Sequence, residues 1–199
     1  MRLAVLTSDQ RRHHWFVHAL FQRGHSVPIV VSETKALPSA PDRDEDGRLF
    51  NDHFSSLARA EEKFFPEAND FPDPVEQIIK KDWGGINDTS VPETLEKHKI
   101  EGIAVFGSSL IRDPILKAFP RRILNIHQGL SPYYRGSGTN FWPFFNRELE
   151  YVGVTLHHID AGIDSGEILA HARPDISPED GQHDIGCKTI IASVDLISH

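Results

Sequence analysis

Two short segments of the chain carry side chains able to hold a developing negative charge and to move a proton. The first is Asn125-Ile126-His127, at the end of a short apolar run. Alternation along an extended backbone puts Asn125 and His127 on one side and turns Ile126 toward a core. A side-chain amide can donate hydrogen bonds to an oxyanion, and an imidazole can exchange a proton near neutral pH. Taken alone, Asn-x-His also fits a histidine that merely packs. The second segment is Asp160-Ala161-Gly162-Ile163-Asp164-Ser165-Gly166. It offers carboxylates on a glycine-bearing connection, although Asp and Gly also suit a simple reversal.

These segments need a frame, and the apolar pattern predicts one. Met1 to Thr7 reads as a buried strand, Arg11 to Arg23 as a helix stopped at Gly24, and His25 to Ser32 as a second strand. Strand, helix and strand in about thirty residues form a parallel, right-handed unit. Lys35 to Asn51, rich in Pro, Asp, Arg and Gly, reads as a long excursion; His53 to Phe65 and Pro74 to Lys81 read as helices. Asn87 to Ser90 leads into a capped helix with Pro92 near its start. Strands follow at Gly102 to Phe106 and Ile123 to Ile126, then a helix around Asn140 to Arg147. Tyr151 to His158 alternates as a half-buried strand, with Val152, Val154 and Leu156 on one face and Gly153, Thr155 and His157 on the other. Glu167 to Arg173 pairs antiparallel with it, and His183 to Ile197 closes as a helix. The expected fold is one α/β domain over residues 1–199: a doubly wound, mostly parallel sheet with an antiparallel strand pair toward the C-terminal part. Ligands in such sheets bind beyond the carboxyl ends of the strands, where Gly107 to Ser109 and the segment from His127 onward should lie.

Composition narrows the function. With 199 residues, 39% hydrophobic and 25% charged, the chain reads as an ordinary globular protein. No stretch approaches a membrane span, and the N-terminus lacks the basic region and cleavage site of a secretory signal. A net charge of -8 argues against nucleic-acid binding as the main task. Arg11, Arg12, Arg121, Arg122 and Arg135 are candidates for a local basic patch. Cys187 is the only cysteine, which fits a reducing, cytoplasmic compartment and a packing role.

The run from Asn125 to Ala170, NIHQGLSPYYRGSGTNFWPFFNRELEYVGVTLHHIDAGIDSGEILA, resembles the core of the folate-dependent formyltransferase family. Asn-x-His, a Leu-Pro-x-x-x-Gly-like segment, Gly-Val-Thr-x-His and an Asp-x-Gly-x-Asp-x-Gly loop occur in the family's order. The resemblance implies an N-formyltransferase that uses 10-formyltetrahydrofolate, with Asn125, His127 and Asp164 as its catalytic trio. An acceptor amine would attack the formyl carbon. Asn125 and protonated His127 would donate to the oxyanion, each such donor being worth about 2.7–4 kcal/mol. Asp164 would favour the imidazolium and orient a water that relays the proton. The same resemblance implies a pterin site formed by Gly107, Ser108, Ser109, Leu110 and Ile111, facing Asp160, Ala161, Gly162 and Ile163. Leu110 and Ile111 equally fit the packing of a helix start.

The acceptor is the open question. The turn after the first strand, Thr7-Ser8-Asp9-Gln10-Arg11-Arg12, lacks the glycine-rich phosphate loop of the glycinamide ribonucleotide branch. Tyr133-Tyr134-Arg135-Gly136-Ser137-Gly138 is closer to the transfer-RNA and sugar branches, and the additional barrel and basic surface of the former are not seen. An amino sugar on a nucleotide carrier is therefore expected, with Tyr134, Arg135 and Trp142 as substrate contacts; Phe141 could also stack, whereas Phe144 and Phe145 are expected to face the core. Methionyl-tRNA and glycinamide ribonucleotide are the alternative acceptors, and a non-catalytic folate- or nucleotide-binding module is the alternative of another class. A metal hydrolase using His157, His158, Asp160, Asp164 and His171 is disfavoured, because His157 and His158 should point to opposite faces; no metal is expected. His13-His14 reads as a helix surface feature.

Overall fold

The computed structural model describes residues 1–34 and 44–198. Seven strands form one sheet: β1 (Arg2–Ser8), β2 (Ser26–Thr34), β3 (Gln77–Asp82), β4 (Gly102–Phe106), β5 (Ile123–His127), β6 (Val154–His158) and β7 (Ile168–Ala172). Their order is β3-β2-β1-β4-β5-β6-β7. Pairings from β3 through β5 are parallel, and β5-β6 and β6-β7 are antiparallel. The mixed α/β sheet is the one expected.

Both faces of the parallel strands are covered, as their near-continuous apolar runs require. Leu3 and Val5 pack with Phe16, Val17 and Leu20 of α1 (Arg11–Gln22) and with Ile190 and Val194 of α6 (Gln182–Ser198). Ala4 and Leu6, on the opposite face, join Val91 and Leu95 of α3 (Ser90–Lys97) and Ile115 of α4 (Ile115–Ala118). The same alternation runs through β5: Leu124 and Ile126 lean on the α1/α6 layer, whereas Ile123 belongs to the other. Asn125 and His127 consequently share one side.

Several expectations fail for identifiable reasons. In place of the helix expected from Pro74 to Lys81 stands the edge strand β3, paired with β2 from Ile29↔Gln77 to Thr34↔Asp82. Its two isoleucines are too few to fix a period, and its lysines suit an exposed edge. Of the excursion Lys35 to Asn51, residues 35–43 lie outside the described residues. From Asp44 the backbone is helical, in α2 (Asp44–Phe64). Acidic residues at its start favour the helix dipole, and Phe50, Phe54, Leu57 and Phe64 fall at helical spacing.

Thr89 stands at the N-cap of α3 without making a side-chain cap bond. The strand expected from Tyr151 begins at Val154, after a 3-10 turn at Leu149–Tyr151. It is buried on both faces rather than half-buried, because α6 covers one face and the chain near Ser131 the other. His13 and His14 are buried, not on the surface: His13 packs on Phe106, and His14 packs on Phe71 and bonds Asp9. In α5 (Trp142–Asn146) only Pro143 is buried; Phe145 is 70% exposed and Phe144 half-buried, so this five-residue helix has no core face.

Candidate active site

The carboxyl ends of β1, β4 and β5 open into a cleft of about 1270 Å³. Asn125 and His127 leave β5 on its floor. Antiparallel pairing sets Asn125 opposite His157 and His127 opposite Thr155. Asp164 reaches back over this pair from the loop between β6 and β7. Its backbone is left-handed, with φ +46°, an uncommon conformation outside glycine that aims the carboxylate inward.

The contacts fix which atoms carry hydrogen. His127 Nε2 lies 2.9 Å from the Tyr134 carbonyl, which only accepts, so Nε2 is protonated. Nδ1 then faces Asp164 Oδ2 at 3.3 Å with a lone pair in the neutral ring and a hydrogen in the charged one. His157 Nδ1 donates to its neighbour's carbonyl, His158 O, at 2.8 Å, leaving Nε2 to accept from Asn125 Nδ2 at 3.1 Å. Asn125 Nδ2 also donates to Asp164 Oδ1 at 3.0 Å, so both amide hydrogens are engaged. Gly136 N–H completes the cage around Asp164 Oδ2 at 2.9 Å.

Burial is the largest influence on His127 and pulls its pKa below the ordinary value. Asp164 and the Tyr134 carbonyl pull back without overcoming it. Asp164 does favour the imidazolium, as expected, but burial outweighs it, so the protonated His127 expected from the sequence is corrected to a ring that rests neutral at physiological pH. Burial works the other way on Asp164, but His157, His127 and the Gly136 N–H together keep its carboxyl below the usual range. The site therefore combines an ionised carboxylate with a neutral imidazole, ready to accept a proton.

The loop following β5 is held from below. Thr155 Oγ1 donates to Gly129 O at 2.6 Å and accepts from Ser131 N–H at 3.0 Å. Gly129 cannot carry a side chain, since a Cβ would come within 2.6 Å of Thr139 and 2.8 Å of His127 Nε2.

One wall of the cleft is Gly107, Ser108, Ser109, Leu110 and Ile111, after β4. Asp160, Gly162 and Ile163 line it as well, whereas Ala161 does not. The first wall is braced by buried Glu33, which accepts from Ser109 N–H at 2.7 Å, and by Asn87, whose amide bonds Leu110 O at 2.9 Å and Arg112 N–H at 2.7 Å. Among the expected substrate residues, Tyr134, Arg135 and Trp142 lie outside the cleft walls, and Gly136 to Phe141 line it in their place. The Tyr134 hydroxyl is occupied by Glu148 and Asn146.

The arginines form no single basic face: Arg11 bonds Phe65 O and Pro66 O, Arg12 pairs with Glu61, Arg121 with Glu167, and Arg122 bonds Ala118 O. Cys187 is buried and its thiol is pushed up to about 12, which suits packing and not nucleophilic attack. No cluster of His, Cys, Asp and Glu able to hold a metal occurs among the described residues. His157 joins the site through a contact that its residue type alone does not mark. Its presence in Gly-Val-Thr-x-His was visible, but its contact with Asn125 depends on the β5-β6 register.

Comparison with known proteins adds an independent line. A model of the formyl transferase family matches residues 58–196. Methionyl-tRNA formyltransferase of Solibacter usitatus (strain Ellin6076) is 29% identical over 186 residues, 91% of this chain and 52% of that protein. Phosphoribosylglycinamide formyltransferase of Bacillus subtilis (strain 168) is 34% identical over 92 residues, 46% of this chain and 47% of that one. The chain thus spans about half the length of these curated relatives. Among solved structures, phosphoribosylglycinamide formyltransferase from Anaplasma phagocytophilum shares the fold at a TM-score of 0.67 and 16% identity, over 100% of this chain and 83% of that one. The formyltransferase PseJ from Anoxybacillus kamchatkensis, in complex with UDP-4,6-dideoxy-4-formamido-L-AltNAc and tetrahydrofolate, overlaps at a TM-score of 0.50 and 16% identity, over 100% of this chain and 73% of that one.

Proposed function

The chain belongs to the formyl transferase family, and from that premise we propose that residues 1–199 form a catalytic domain that moves a formyl group from 10-formyltetrahydrofolate to an amine, in the cytoplasm. The observation that carries the reading is the convergence of Asn125, His127 and Asp164 on one cleft floor. The walls fit the donor: Gly107 to Ile111 offers backbone groups and apolar side chains to a pterin, and Asp160, Gly162 and Ile163 line the same space.

In this reading the amine nitrogen attacks the formyl carbon, a C–N bond forms, and negative charge gathers on the formyl oxygen. Asn125 answers that charge by giving up one of its two present acceptors, Asp164 or His157. The proton lost by the amine passes to neutral His127 at Nδ1, where Asp164 stabilises the new imidazolium. Return of that proton to the departing N10 breaks the old C–N bond and leaves a formamide and tetrahydrofolate. No covalent enzyme adduct is required.

For the acceptor we favour an amino sugar on a nucleotide carrier. The net charge of -8 and the scattered arginines support a small acceptor over a large nucleic acid. The names of the curated relatives make methionyl-tRNA and phosphoribosylglycinamide the competing acceptors. The test is production of tetrahydrofolate from 10-formyltetrahydrofolate with each amine, alongside His127→Ala. Turnover of the nucleotide-linked amino sugar, reduced at least about 100-fold in the variant, is expected. Turnover confined to another amine would refute the acceptor. A folded protein that binds tetrahydrofolate and turns over none would be a binding module.

A further inference from the structure

The two edges of the sheet are built differently. At one edge β3 carries Lys80, Lys81 and Asp82, charges of the kind that keep an exposed strand from pairing with another chain. At the other edge β7 reads Ile168-Leu169-Ala170-His171-Ala172, without a lysine, an arginine or a carboxylate. Ile168 is 37% and Leu169 46% exposed. Among the described residues β6 is the one ladder partner of β7. The N–H and C=O groups along its outer side are therefore left for a further strand.

The residues flanking β7 define the strand that fits there. Glu167 precedes it and Arg173 follows it. Let β7 pair antiparallel with a second β7 about a two-fold axis at Ala170. Glu167 then stands opposite Arg173 of the second copy at both ends of the ladder, with Ile168 opposite Ala172 and Leu169 opposite His171. Sliding the register by one or two residues either way separates the two charges. Arg173 is exposed and has no hydrogen bond or ion pair among the described residues. Glu167 gives Oε2 to Arg121 at 2.8 Å, and its other oxygen remains to accept from Arg173 of the second copy. The edge is thus complementary to itself in charge and in residue size.

We propose that the β7 edge docks a second copy of this chain, continuing the sheet across a two-fold axis at Ala170. A single strand ladder is a small contact, so the dimer is a weak one, formed at micromolar concentrations and above. The assignment does not depend on the formyl-transfer reading. Sedimentation equilibrium of the full chain over about 1–300 µM tests it, alongside Glu167→Arg, Arg173→Glu and an equimolar mixture of the two. The unaltered chain is expected to pass from monomer to dimer across that range. Either exchange alone sets like charges opposite one another at both ends and should weaken association at least about tenfold. In the mixture opposite charges meet again at both ends, so a one-to-one heterodimer should form with a Kd within about threefold of the unaltered value. Leu169→Lys, which guards this edge as β3 is guarded and touches neither charge, should stay monomeric with an unchanged Tm. A monomer at the highest concentration would assign the edge to something other than a second copy and overturn the proposal. Undiminished dimers in the single exchanges or in Leu169→Lys, or two folded exchanges that do not recover on mixing, would overturn it as well. Should Glu167→Arg fail to fold beside Arg121, Arg173→Glu and Leu169→Lys decide the question by themselves.

Discussion

At the scale of single residues, buried histidines set the behaviour of the protein in acid. Burial lowers the pKa of His13 and of His127 below that of an ordinary histidine, and partly buried His25 and His183 shift the same way. As pH falls through about 6.5, the unfolded chain takes up these protons while the folded one does not. Proton uptake therefore favours unfolding, and the stability present above that pH is lost on acidification. Asp164 acts in a lower window, since its lowered pKa contributes stability above the usual carboxylate value and loses it as pH falls through the folded value. The predicted Tm is level near pH 7–8 and declines below about 6.5, and His127→Phe should flatten that decline. A Tm that rises as pH drops from 7 to 6 would contradict the sign. Residue types were enough to single out Asn125, His127 and Asp164 once a family pattern linked them. They were not enough to show the neutral state of His127, because that follows from enclosure by chain remote in sequence.

At the scale of elements, the site depends on how the segment after β5 is tied to β6. Thr155 supplies one hydroxyl to both Gly129 O and Ser131 N–H, and that segment leads to the Tyr134 carbonyl which fixes the His127 tautomer. Thr155→Val keeps the shape but strips a buried acceptor from the Ser131 N–H and a donor from Gly129 O. A loss of about 2 kcal/mol is expected, lowering Tm by roughly 4–8 °C in a chain of this size. Activity should fall further than stability explains, because His127 loses its positioning, and kcat at a temperature well below Tm separates the two effects. An unchanged kcat would show that the segment is held by its other contacts. Elements with one dominant signal were legible: Gly102 to Phe106 is a wholly apolar run that opens on a glycine, and the helix from Arg11 repeats its apolar residues at helical spacing. β3 was not, because an edge strand buries one side incompletely and Gln77 to Asp82 is half charged. The start of α2 was obscured for the opposite reason: its acidic first turn resembles loop composition although it favours a helix N-terminus.

At the scale of the whole molecule, the cleft draws its walls from the two ends of the described chain and from its middle. Ser8 to His13 and the inner side of α2 come from the first third, Gly107 to Arg112 from the middle, and Asn125 to Asp164 with the first turns of α6 from the last part. The same distant parts share one core, since α1 and α6 bury their apolar faces against the same side of the sheet and α2 packs on α6. A ligand filling the cleft consequently bridges elements whose separation is the unfolding reaction itself, and its binding energy should appear as global stability. Tetrahydrofolate at one hundred times its Kd is expected to add about 2.7 kcal/mol. For a chain of this length that raises Tm by roughly 5–10 °C, in a single transition seen equally by near-UV and far-UV dichroism. A transition that splits, with one limb indifferent to the ligand, would mean that the first third and the last part do not unfold as one unit. No shift at saturating tetrahydrofolate would mean that the cleft does not take the donor, and the reading of Gly107 to Ile111 as its wall would fall with it.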